Sequence, residues 1–294
     1  MTNDPSPPPT GDAAAAREAH VARSSKLAEQ VREGAKTILG ALLIALVLRS
    51  FIFEPFNIPS GSMLPRLLVG DYLFVAKWPY GYSRYSFPLG LPPFNGRIPA
   101  GHGPERGDVV VFKGPRDNRT DFIKRVIGLP GDQVQMRGGQ LFLNGEAVPK
   151  RRVEDFVVPV DRSFDCQGFP RLPSHRVAVP AGGAQCRFPQ YEETLPGGRT
   201  YRVLDQAPGI AMADDTEVFL VPDGHYFVMG DNRDDSADSR FPPFGPQPGV
   251  GFVPAQNIVG RATVMFFSID GTAVWWQPWT WPGAIRFERI GGRF

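Results

Sequence analysis

The chain has 294 residues, enough to bury a full hydrophobic core, and its length suits one large domain or two small ones. Its 32 Lys and Arg against 30 Asp and Glu leave no basic field of the kind a nucleic-acid binder needs, so nucleic acid is set aside as a partner. Gly and Pro number 33 and 31, yet 42% of the residues are hydrophobic, which describes a loop-rich globular protein with helix in the minority.

Residues 1–34 begin with Pro, Ser and Asp, pass through an Ala run and carry mixed charge without apolar periodicity, so a flexible cytoplasmic tail is expected there. Residues 35–53 follow as the membrane candidate, since Thr37 to Phe53 reads TILGALLIALVLRSFIF. The run is short against the about 20 residues of a full crossing. Arg49 interrupts it near one end, from which its side chain can snorkel to headgroups, while Ala35 and Lys36 extend the other end. A cleavable signal peptide would show small residues in an A-x-A pattern next, but the chain continues RSFIFEPFNI, so an uncleaved anchor is expected. A buried helix of a soluble domain is the alternative. Arg23, Lys26, Arg32 and Lys36 precede the run and only Arg66 follows it at similar range, which predicts a cytoplasmic N-terminus and a domain on the far side, periplasmic in a Gram-negative cell.

Beyond the anchor come short apolar runs punctuated by Gly and Pro: YLFVAK from Tyr72, DVVVFK from Asp108, FIKRVI from Phe122, QLFLNGEAV from Gln140, HYFVMG from His225 and NIVGRATVMFF from Asn257. These predict a mainly β fold, a transmembrane helix followed by a β-sheet domain. Gly138-Gly139 and Asn144-Gly145 supply hairpin turns. The sheet is expected in two parts, 54–149 and 217–294, around an inserted smaller β subdomain or extended loop region at 150–216. A Pro- and Gly-rich stretch from Tyr80 to about Arg106 also interrupts it. Cys166 and Cys186 both fall in the 150–216 insertion and lack zinc-ligand spacing; one bridge in an oxidising compartment or two separate buried thiols are both open. Trp275, Trp276, Trp279 and Trp281 crowd AVWWQPWTWPG and predict a segment lying on the phospholipid membrane, with a Trp-rich core as the alternative.

Directly after the anchor stands PSGSM, Pro59 to Met63, a turn that offers the hydroxyls of Ser60 and Ser62. A nucleophilic serine needs a base. Of the histidines, His20 lies in the tail, His102 and His175 in the interrupting stretches, and none, His225 included, is well supplied with partners; there is no G-x-S-x-G elbow. A lysine can serve if burial keeps it neutral. In DFIKRVIG the period-two alternation puts Phe122, Lys124 and Val126 on one face, giving Lys124 apolar neighbours, and Ile123, Arg125 and Ile127 on the other.

PSGSM after an anchor, then GDVVVFK, FIKRVIGLPGD and GDNRDDSADSR at Gly230 to Arg240, is an ordered set of blocks that resembles the bacterial type I signal peptidases. The resemblance runs with gaps from about residue 36 to residue 265; Asp235 stands where that family commonly has Asn. It implies a membrane-anchored serine endopeptidase of the bacterial inner membrane that removes signal peptides from exported preproteins after small residues. Ser62 would be the nucleophile of an acyl-enzyme and Lys124 its general base and later acid. The Ser60 hydroxyl and the Ser62 N–H would receive the oxyanion, and Ser236 would hydrogen-bond Lys124. Arg125, Asp231, Asp238 and Arg240 would pair with one another beneath the site, and Phe56, Ile58, Met63, Leu67, Phe122 and Ile123 would line shallow substrate pockets. No cofactor and no metal is expected, H-E-x-x-H being absent from the sequence. A Ser/Lys peptidase restricted to pilin or conjugation substrates shares these residues, and an inactive anchored peptide-binding scaffold would need a broken dyad.

Overall fold

The computed structural model describes residues 11–87, 90, 94–99, 103–160, 166, 175–179, 183–207, 209, 213–274 and 276–294. Helix α1 runs Gly11–Phe51. It starts earlier than the sequence reading placed it: the Ala run and the Glu, Arg, Lys and Gln that follow are strong helix formers, so the expected tail is helical from Gly11 onward. It ends just before Pro55, which biases the preceding residue toward extended backbone. Ala28–Phe51 is long and apolar enough to cross a membrane, with mean hydropathy 1.6, and Leu42, Leu43 and Ile44 are each at least 60% exposed. Hydrocarbon is the solvent such a surface suits. The chain divides into two compact units, Met1–Leu48 and Arg49–Phe294.

In the second unit the strands are β1 Phe53–Asn57, β2 Asp71–Ala76, β3 Val109–Lys113, β4 Asp121–Gly128, β5 Gln133–Arg137, β6 Gln140–Leu143 and β7 Glu146–Ala147. Then come β8 Lys150–Arg152, β9 Phe156–Pro159, β10 Arg176–Ala178, β11 Ala184–Phe188, β12 Gln190–Thr194 and β13 Thr200–Leu204. The chain closes with β14 Phe219–Leu220, β15 His225–Met229, β16 Val253–Pro254, β17 Ile258–Ser268 and the single-turn helix α2 Trp281–Ala284. A seven-stranded antiparallel sheet, ordered β1-β2-β17-β3-β4-β15-β16 with β1 at one edge, holds five of the six predicted runs, while QLFLNGEAV supplies β6 and β7 of a four-stranded sheet, β14-β5-β6-β7. The β5-β6 and β6-β7 hairpins turn at Gly138-Gly139 and at Asn144-Gly145, all four residues at positive φ as such turns require. Between β7 and β14 the chain builds two three-stranded sheets, β10-β11-β9 and β13-β12-β8. A Cys166–Cys186 disulfide, Cα atoms 5.3 Å apart, ties the first of these.

Strand β3 shows how the main sheet sorts its core. Val109 and Val111 join Ile58, Met63, Leu67, Leu73 and Ile123 on one face, while Val110 and Phe112 join Val126, Val228 and Ile258 on the other. The sheet is thus covered on both faces, and β4 in its interior can carry a side chain into a dry environment on either one.

Candidate active site

Ser62 lies in a single turn of 3₁₀ helix, Gly61–Met63, directly after β1. Asn232, in the loop after β15, fixes that turn: its backbone N–H donates to the Ser62 carbonyl at 3.1 Å and its Nδ2 to the Gly61 carbonyl at 3.1 Å. Gly230 makes the close approach between loop and turn feasible. A Cβ there would lie 2.3 Å from Ser236 Oγ and 2.5 Å from the Ser62 carbonyl oxygen, so only glycine fits.

Strand β4 presents Lys124 opposite Val110 of β3, on the face it shares with Phe122 and Val126. Its Nζ donates to Ser62 Oγ at 2.7 Å and to the Ile123 carbonyl at 3.0 Å. Ser62 is 8% and Lys124 4% exposed. Burial pushes the Lys124 amine down to about 8; the carboxylates of Asp238, Asp231 and Asp235 oppose the fall and Arg240 adds to it. Both hydrogen-bond partners of the amine are neutral oxygens, so among the described residues no contact ion pair holds it charged. Ser60 is exposed, its Oγ 3.5 Å from Ser62 Oγ.

Ser236 differs from expectation. Its Oγ is buried close to Gly230 and is not bonded to Lys124, whose hydrogen bonds run to Ser62 and Ile123. The four charged residues beneath the site form two bidentate pairs. Arg125 donates Nε and Nη2 to the two carboxylate oxygens of Asp231 at 2.7 and 2.6 Å, and Arg240 donates Nε and Nη2 to those of Asp238, both at 2.9 Å. Arg125 also reaches the Gly107 carbonyl, and Asp238 accepts from the Gly230 N–H.

Of the expected pocket residues, Ile58, Met63, Leu67 and Ile123 cluster with Phe56 packed against them, whereas Phe122 sits on the opposite face of the sheet with Phe112. The alternation of β4 separates Phe122 from Ile123. A cleft of about 770 Å³ lined by Phe56, Val75, Tyr85, Val111 and Asp121 runs along the Ile123 face. The histidines are engaged or remote: His20 is exposed on α1, His102 lies outside the described residues, His175 packs on Phe188 and His225 bonds the Asp223 carbonyl. Trp276, Trp279 and Trp281 are 62%, 73% and 44% exposed, which is no core packing; Trp275 lies outside the described residues. Arg49 does not stand alone at the end of its helix but pairs with Glu54 at 3.0 Å.

The sequence reading missed Gly230, Asn232 and the Ile123 carbonyl as parts of the site. The first two sit within GDNRDDSADSR, so the block itself carried the signal; a backbone carbonyl leaves none.

Residues 31–267 match the family model described as Signal peptidase, peptidase S26. The chain is 37% identical over 261 residues to a signal peptidase I of Rickettsia typhi, covering 86% of each chain. It is 38% identical over 243 residues to that of Rickettsia conorii, covering 80% of this chain and 79% of the relative. A crystal structure of a signal peptidase I from Enterococcus faecalis aligns at 24% identity and a TM-score of 0.27, covering 54% of this chain and 95% of that one.

Proposed function

The chain belongs to the signal peptidase family, peptidase S26, and is a serine endopeptidase; from that premise we propose that Ser62 is its nucleophile and Lys124 its general base. The observation that carries this reading is the 2.7 Å hydrogen bond between Lys124 Nζ and Ser62 Oγ, made where burial brings the amine to about 8. Neutral Lys124 takes the Ser62 hydroxyl proton as Oγ attacks the scissile carbonyl. The ammonium so formed then protonates the departing amine, leaving an ester on Ser62. Water, deprotonated by the same amine, hydrolyses that ester and restores both groups. The Ser60 hydroxyl and the Ser62 N–H serve the oxyanion, and Ser60 lies on the same turn as the nucleophile.

The substrates are signal peptides of exported preproteins, held extended against the free edge of β1 with side chains directed to the cleft along Phe56 and Val111. Helix α1 anchors the enzyme in the bacterial inner membrane with its N-terminus cytoplasmic and the β unit periplasmic; Arg23, Lys26, Arg32 and Lys36, on the N-terminal side of its apolar run, support that orientation.

Rapid quenching of a preprotein digest followed by mass spectrometry tests the chemistry. An acyl adduct on the peptide containing Ser62 is expected, with none in Ser62→Ala. An adduct elsewhere, or cleavage that persists in Ser62→Ala, would overturn the assignment.

A further inference from the structure

The loop that carries Asn232, Ser236 and Asp238 is bound on its far side by the inserted strands β12 and β13. Glu193 and Tyr201 are directly opposed on these two strands, so their side chains share one face. Both are buried, and so is Arg233 of the loop. Arg233 donates Nη1 to Glu193 Oε1 at 2.7 Å and Nη2 to Glu193 Oε2, the Tyr201 hydroxyl donates to Glu193 Oε2 at 2.6 Å, and Arg233 Nη2 lies 3.2 Å from that hydroxyl. The network then passes to the sheet, because the Arg125 guanidinium lies over the Tyr201 ring at 4.5 Å. Arg125 neighbours Lys124 in sequence and is clamped to Asp231.

Charge bookkeeping makes Glu193 the critical member. Three buried guanidiniums each have one carboxylate: Arg125 has Asp231, Arg240 has Asp238 and Arg233 has Glu193. Burial opposes the charge on Arg233 most strongly, and Glu193, then Tyr201 and last Asp231 together more than offset it. Without the Glu193 carboxylate the Arg233 cation would turn to Asp231, the group that clamps Arg125 and supports the charge on Lys124.

We propose that Glu193 and Tyr201 of the inserted segment are positioning residues for the Ser62/Lys124 site, acting through Arg233 and Arg125, so that the insertion completes the catalytic unit. This rests on the assignment of Ser62 and Lys124 above. Among its described residues the segment supplies no group to the reacting atoms; it holds the loop against the Ser62 turn and keeps Asp231 on Arg125. The groups that set the amine's charge state, Asp231, Asp235, Asp238 and Arg240 around it and Ser62 and the Ile123 carbonyl in contact with it, all lie on elements this network holds.

The test is the pH profile of kcat/KM for preprotein cleavage by the full chain in detergent, for wild type, Glu193→Gln, Glu193→Asp, Tyr201→Phe and Ser62→Ala, with the folded fraction measured for each. Glu193→Gln should lower kcat about 100-fold, the scale of a misplaced catalytic group, with little change in KM. Its acidic limb should move to lower pH, because the amine loses the support of Asp231. Glu193→Asp should return the limb toward the wild-type position, and Tyr201→Phe, which keeps the ring under Arg125, should show a smaller loss. A Glu193→Gln enzyme with wild-type kcat and limb, or one whose loss equals its unfolded fraction with the limb unmoved, overturns the proposal. Cleavage surviving in Ser62→Ala would instead overturn the site assignment, so the two failures are distinguishable.

Discussion

Two lysines are buried in the β unit, and their surroundings differ in one respect. Lys77, 1% exposed at the end of β2, has the Glu54 carboxylate at 2.9 Å and also donates to the Ser86 carbonyl. Lys124, at 4%, hydrogen-bonds only a hydroxyl and a carbonyl among the described residues. Burial lowers both amines, but at Lys77 a contact carboxylate works against the fall, while at Lys124 the nearest carboxylates act from beyond hydrogen-bond reach. The same residue type on the same sheet therefore serves as an ion-pair partner in one place and, in the proposed mechanism, as a poised base in the other. A buried lysine becomes a base when its neighbours are polar enough to hold it and too neutral to keep it charged.

The comparison breaks most visibly by removing each amine in turn. Lys124→Ala and Ser62→Ala should each lower kcat/KM for a preprotein by about 10⁴-fold or more while the protein stays folded. Lys77→Met should leave turnover per folded molecule intact and lower stability by about 1–3 kcal/mol, the cost of leaving buried acceptors unpaired. Glu54 keeps its Arg49 partner in that variant, which limits the loss. Urea denaturation beside a cleavage assay separates the two outcomes, and a Lys77→Met enzyme as dead as Lys124→Ala would erase the distinction.

Gly230→Ala should come next in size. The added methyl collides with Ser236 and with the Ser62 carbonyl, so the Ser62 turn must shift, and kcat should fall about 100-fold with the β core unperturbed by circular dichroism. Wild-type turnover in this variant would show that the loop need not approach the turn so closely.

The smallest effect concerns the surface. Replacing Trp276, Trp279 and Trp281 together with Ser should remove most of the emission that brominated lipids quench in proteoliposomes and should slow preprotein cleavage there only modestly, since α1 supplies the anchor. Emission equally shielded from lipid in the wild type would place these rings in water.

Much of this was legible in the sequence because the signals are local. The alternation in DFIKRVIG placed Lys124 among Phe122 and Val126, and the glycine pairs marked the β5-β6 and β6-β7 turns. Side-chain reach across loops was not legible. Ser236 carries the right chemistry, but the structure seats its hydroxyl against Gly230 and not on Lys124, a choice made by loop geometry. Phe122 and Ile123 read as one pocket wall, yet adjacent strand residues point to opposite faces. Glu193 and Tyr201 lie in a segment with no recognisable block, and only their register across β12 and β13 brings them to Arg233. The start of α1 escaped notice because periodicity marks a packed helix, and Ala-rich helical propensity leaves no apolar stripe.

The central claim is that burial lets the Lys124 amine lose its proton well below its ordinary range, and its titration tests this most directly. In protein labelled with ¹³C at lysine Cε, a resonance missing from the Lys124→Met spectrum should titrate with a midpoint of about 8, and the acidic limb of wild-type kcat/KM should coincide with it, activity rising as pH passes upward through that value. A Lys124 resonance that stays charged to its ordinary range near 10.4, with activity already full at neutral pH, would contradict the account.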